Sequence, residues 1–152
     1  MLLTDLIAAV RTLVSPAADR DTALQLAAGL LACHQAGAGE LLCSLREREA
    51  LGSTSIGHGI AIPHGRCATL IKPRGALIRL QQPIDFGDAE PVDLLFAMAV
   101  PGHYTHEHLM LLSELAGHFS DPAFRDALRQ APDEAALLRL LSTHTPSEAS
   151  AA

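Results

Sequence analysis

Two periods of apolar residues alternate along the chain, and the points where one gives way to the other mark out its elements. Leu24, Ala27, Ala28 and Leu31 stand at helical spacing behind capping residues at 19–22, which predicts a first helix reaching about residue 36. The Gly-Ala-Gly at 37–39 breaks it, and a second helix follows over 40–51 with Leu41, Leu45 and Arg48 on one stripe. The period then shortens. Strand-like runs cover 59–63, 75–80 and 92–100, the last apolar after Asp93, as expected of a central strand covered on both faces. The turn-rich stretch 83–91 reads as a surface loop. Helical spacing returns over 105–119, where His108, Leu111, Leu112, Leu115 and Phe119 share a face. Asp121-Pro122 and Pro132-Asp133 open two further helices, ending at residues 130 and 141. Helices before, between and after a few strands predict an α/β fold, with a single mixed β-sheet flanked by helices. One domain over 1–141 is expected, and the small, polar tail 142–152 is expected to be disordered.

Composition narrows the function classes. Four Phe, one Tyr and no Trp leave few platforms for stacking bases, and the formal net charge of −6 lacks the basic excess of a nucleic-acid binder. An acidic protein suits a basic partner instead. Cys33, Cys43 and Cys67 form an odd set without CxxC spacing, which points to free thiols and a reducing cytoplasm; Cys33 is expected to be buried inside the first helix. The N-terminus has an acidic residue at Asp5 and no basic leader, and the longest uncharged segment, 22–39, is too polar for a membrane span. Neither nucleic acid nor membrane insertion is expected.

The most specific chemistry lies in LGSTSIGHGIAIPHGR at 51–66. Pro63 fixes its own φ and pushes Ile62 toward extended backbone, while Gly65 permits a sharp turn or the close approach of another molecule. His64 is therefore expected where a strand breaks into a loop, with its imidazole presented rather than buried. A histidine of ordinary pKa is largely neutral at cell pH and can act as a covalent nucleophile, which suggests a phosphoryl acceptor. Phosphoryl transfer needs donors for the charge on the equatorial oxygens. Backbone N–H groups near Gly65, a guanidinium fork from Arg48, and His108 in the first turn of its helix fit that need. On spacing alone, Arg48 is equally a side chain snorkelling at the edge of its stripe, and His108 a satisfied histidine at an apolar rim. His103, His106 and His108 cluster around Glu107, but they match neither HExxH nor zinc-finger spacing, so no metal is expected. No cofactor is expected either.

The motifs RExLGST (48–54) and GxGIAIPHGR (57–66), followed by PIDFGDAEPVDLLFAMAVP (83–101) and HEHLMLLSELAGHF (106–119), resemble the type-2 IIA proteins of the bacterial phosphoenolpyruvate:sugar phosphotransferase system. The resemblance covers nearly the whole chain. It implies a single mixed sheet flanked by helices, and it puts Arg48, His64 and His108 at the positions of the family's arginine, phosphorylated histidine and second active-site histidine. His58 stands where relatives often carry Asn or Glu, and is either an auxiliary titratable group or a solvated loop residue. The implied activity is that of a cytoplasmic phosphocarrier that takes a phosphoryl group on His64 from an HPr-like protein.

The 83–101 segment resembles the nitrogen-regulatory branch more than the mannitol branch, and the chain carries no IIB, IIC or HPr-like segment, so a regulatory output is expected. The partners would be the HPr-like carrier and a cytoplasmic target such as a transporter or kinase. Three alternatives stay open: a fructose- or mannitol-type IIA component passing phosphate to a IIB domain, a docking module without onward transfer, and a metal-dependent hydrolase built on the histidine cluster.

Overall fold

The computed structural model describes residues 2–145. The order of elements is α1 (Leu2–Ala8), β1 (Arg11–Ser15), α2 (Arg20–Leu31), α3 (Ala38–Ala50), β2 (Ser55–Gly57), β3 (Ile60–Ala61), β4 (His64–Cys67), β5 (Arg74–Ile84), β6 (Val92–Pro101), α4 (His106–Phe119), α5 (Pro122–Gln130) and α6 (Glu134–Thr143). The six strands form one mixed sheet in the order β1-β5-β6-β3-β2, with β4 also on β6. β5 and β6 pair antiparallel, whereas β1 runs parallel to β5, and β3 and β4 run parallel to β6.

The unbroken apolar run of β6 is explained by burial on both faces. Leu95, Ala97 and Ala99 join a cluster with Leu24, Leu31, Leu41 and Leu45 of α2 and α3. Leu94, Phe96, Met98 and Val100 join another with Leu6, Leu111, Leu115, Phe119, Leu128 and Leu137 from α1 and α4–α6. The two-residue period of the strand thus splits its side chains between two cores. Three aspartates start helices as capping chemistry requires: Asp19, Asp121 and Asp133 accept the N–H of Thr22, Ala123 and Ala136.

Several expectations need correcting. The N-terminal segment supplies α1, which buries Leu3 and Leu6, and β1, an edge strand. α2 stops at Leu31, and Cys33 lies outside it, half-buried, in an isolated bridge with Ala36. The 83–91 loop is anchored rather than free. Ile84 and Phe86 are buried, and the Phe86 carbonyl accepts from Arg20 and from Ser53 Oγ at 2.7 Å. α6 continues to Thr143, two residues into the segment expected to be disordered. His144 stacks on Phe124, bonds His118 Nδ1 through its own Nδ1 at 2.7 Å, and reaches Asp121 through Nε2 at 3.0 Å. Residues 146–152 lie outside the described residues. Among the described residues no helix is long and apolar enough to cross a membrane.

Candidate functional site

His64 does not enter a loop. It is the first residue of β4, which continues along β6 from where β3 stops, with His64 opposite Met98. Pro63 has no N–H and leaves a gap between the two short strands, but its carbonyl still accepts from Met98 N–H at 2.9 Å, so the chain resumes pairing at once. Gly65 serves a close approach of β4 to α3: a Cβ there would lie 2.1 Å from Ser44 Oγ, which itself donates to the Arg66 carbonyl.

The His64 ring is held from one side. Its Nδ1 lies 2.7 Å from the carbonyl oxygen of Ile62. A carbonyl only accepts, which assigns the proton to Nδ1 and leaves the lone pair on Nε2. The support behind this bond runs deeper. Ile62 N–H donates to the Thr54 carbonyl at 3.0 Å, and Thr54 donates both its N–H and its hydroxyl to the buried carboxylate of Glu49. The RExLGST stretch therefore has two tasks, placing Arg48 at the cleft and tying α3 to the backbone that orients His64. Burial raises the Glu49 pKa, against the Thr54 hydrogen bonds and the charges of Arg20 and Arg48.

His64, Arg48 and His108 share a cleft of about 570 Å³, which Ser44, Glu47, Leu51, Gly65, Arg66, Leu109 and Leu112 complete. His108 is the third residue of α4 and stands edge-on to His64, with ring centroids 5.0 Å apart. Its Nε2 is buried without a hydrogen-bond partner. Desolvation, then the neighbouring His64, Arg66 and Arg48, lower its pKa to about 4, so the ring is neutral at cell pH. The pKa of His64 is also lowered, first by desolvation and further by Arg48 and Arg66, although the Ile62 carbonyl opposes the shift. Arg48 donates Nη1 to the Gly52 carbonyl at 2.9 Å. The cleft thus combines a neutral ring nitrogen with a free lone pair, two guanidinium groups and an unpaired imidazole nitrogen. That set can bond an electrophile at Nε2 and surround an anion with donors.

His58 is not part of this cleft. It sits exposed between β2 and β3 at φ +57°, with its N–H on Glu90 Oε2 and its carbonyl accepting from Arg129. His103 packs edge-on against Tyr104, and among the described residues no group of three or more His, Cys, Asp or Glu could hold a metal ion. Arg66, Glu49 and Thr54 went unread from sequence. Arg66 was legible in principle, since two residues along a strand return a side chain to the face of His64.

Comparison with known proteins identifies the family and the fold. The family described as "Phosphoenolpyruvate-dependent sugar phosphotransferase system, EIIA 2" matches residues 9–144. A nitrogen regulatory protein of Pseudomonas aeruginosa is 45% identical over 100 residues, 64% of this chain and 65% of that protein. One from Escherichia coli is 41% identical over 107 residues, 67% of this chain and 66% of that protein. The matched stretches span just under two thirds of these relatives' own length. The crystal structure of the nitrogen regulatory protein IIA-Ntr from Neisseria meningitidis superposes with a TM-score of 0.83 at 32% identity, covering 93% of this chain and 99% of that one. IIA mannitol from Escherichia coli shares the fold with a TM-score of 0.70 at 22% identity, covering 83% and 91%. The chain belongs to the EIIA 2 family of the phosphoenolpyruvate-dependent sugar phosphotransferase system.

Proposed function

We propose that this chain is a cytoplasmic phosphocarrier of regulatory type that accepts a phosphoryl group on His64 Nε2 from a phosphohistidine of an HPr-like protein. The Nε2 lone pair attacks phosphorus. The donor's N–P bond breaks with its electron pair returning to the donor imidazole, and an N–P bond forms at His64. The product ring carries a positive charge, because Nδ1 keeps its proton, and the Ile62 carbonyl facing that proton stabilises it. Onward transfer breaks the N–P bond and returns its electron pair to the cationic ring, so the group that leaves is neutral imidazole, a good leaving group. Arg48 and His108 Nε2 meet the phosphoryl oxygens, and the lowered pKa values keep His64 nucleophilic and His108 neutral.

The observation that carries this reading is the bond from His64 Nδ1 to the Ile62 carbonyl inside a cleft with guanidinium and imidazole donors. Regulation is favoured over sugar uptake by the identity to proteins named nitrogen regulatory, 45% against 33% for a fructose-specific EIIABC component of Bacillus subtilis. Incubation with phosphorylated HPr-like carrier, followed by intact mass and peptide mapping, tests the acceptor. One acid-labile, base-stable phosphoryl group on His64 is expected, and none in His64→Ala; stoichiometric label in His64→Ala overturns the assignment.

A further inference from the structure

Residues of β4 alternate between two faces of the sheet. Gly65 packs on Ser44 of α3 and Cys67 joins the α2–α3 core, whereas His64 and Arg66 line the cleft that His108 of α4 completes. We propose that Arg66 is a second guanidinium ligand of the transferred phosphoryl group, a role that rests on the phosphocarrier reading above. Arg66 Nε donates to the Tyr104 carbonyl at 2.7 Å, two residues before α4 begins. This bond fixes the guanidinium at the mouth of the helix that carries His108. Its Nη1 and Nη2 make no hydrogen bond among the described residues, so both terminal donors remain for an incoming anion. Arg48 has committed Nη1 to the Gly52 carbonyl. Glu47, the carboxylate lining the same cleft, is not bonded to Arg66 and accepts instead from Cys43 Sγ. The charge of Arg66 is felt at both rings, as its contributions to the lowered pKa values of His64 and His108 record. A planar fork already oriented by a backbone bond suits two phosphoryl oxygens at once.

The test separates contact with the phosphoryl group from contact with the carrier by using two donors. Phosphorylated HPr-like protein brings a protein surface; potassium phosphoramidate brings only the phosphoryl group. Label at His64 is followed over time by peptide mapping for wild type, Arg66→Gln and Arg66→Lys, with circular dichroism and thermal midpoints confirming the fold of each. Arg66 is exposed, and both variants are expected to fold. Arg66→Gln is expected to slow labelling at least tenfold with either donor, and Arg66→Lys to fall between, because an ammonium cannot hold Tyr104 and present a fork together. A wild-type rate for Arg66→Gln with phosphoramidate overturns the proposal, even if the protein donor is slowed, since Arg66 would then contact only the carrier. Wild-type protein that takes no label from either donor overturns the phosphocarrier reading itself.

Discussion

At the scale of single residues, the tautomer of the proposed nucleophile is set by a backbone oxygen. Ile62 carbonyl selects the Nδ1–H tautomer of His64, and Thr54 and Glu49 hold the Ile62 backbone from behind. Glu49 pays for its burial through the two Thr54 donors and Arg20 at 4.0 Å. Thr54→Val keeps the shape but removes the hydroxyl donor, leaving a buried carboxylate oxygen unpartnered. A loss of about 1–3 kcal/mol is expected by urea unfolding, the usual range for such an orphaned group. Unchanged stability would mean that the Glu49–Thr54 pair supports nothing. His64 stands out in the sequence as the candidate acceptor because Pro63 and Gly65 frame it. Glu49 and Thr54 were not, since a carboxylate beside an arginine reads as a solvated pair until the fold turns it inward. Gly65 was expected to turn the chain or admit another molecule; what it admits is Ser44 of α3, 21 positions earlier in the chain.

At the scale of elements, helices of nine residues or more with an aspartate cap or a sustained stripe were visible, as were β5 and β6. The missed ones are short. α1 has seven residues and passes almost directly into β1 with five, so neither period repeats enough to register. The strand expected over 59–63 covers β3 alone, and β4 falls where a loop was expected because Pro63 interrupts the run, yet pairing to β6 resumes beyond the gap. The placement of α4 has a consequence in acid. Its first turn buries His108 against β4, and the folded-state pKa drops from 6.5 to about 4. A group harder to protonate when folded contributes stability that is complete above the unfolded pKa and lost as pH falls toward the folded one. The window is therefore pH 6.5 down to about 4, and at ~1.4 kcal/mol per pH unit the contribution is at most roughly 3 kcal/mol. His118, also lowered by burial and by His144, acts in the same sense, whereas Glu49, raised by burial, acts in the opposite one. Urea unfolding of wild type and His108→Gln at pH 7.5 and about pH 4.5 isolates the His108 share. The variant is expected to lose about 1–3 kcal/mol less on acidification; equal losses would contradict the burial argument.

At the scale of the molecule, the two-sided core carries a rigid central strand, and the cleft is assembled at its end from β4, the last turn of α3 and the first turn of α4. No local pattern shows that β4 joins β6, so Arg48 and His108 could be brought to His64 from sequence only through the family resemblance. Exposed Leu51 and Leu109 rim the cleft, which gives a partner an apolar contact around the proposed acceptor nitrogen. Phosphorylation would add about 1.5 to 2 negative charges among those side chains. The unphosphorylated form is therefore expected to bind a regulatory target more tightly, and calorimetry with unphosphorylated and phosphorylated protein checks the order; equal affinities would remove the proposed signal. The Ile62 carbonyl leaves His64 Nε2 as the proposed phosphoryl acceptor. This assignment is tested by the phosphorus–nitrogen coupling in protein labelled with ¹⁵N at histidine and phosphorylated by an HPr-like carrier. A one-bond coupling at His64 Nε2, with the Nδ1 proton retained, is expected; coupling at Nδ1, or at any other histidine, would overturn the assignment of Nε2 as acceptor.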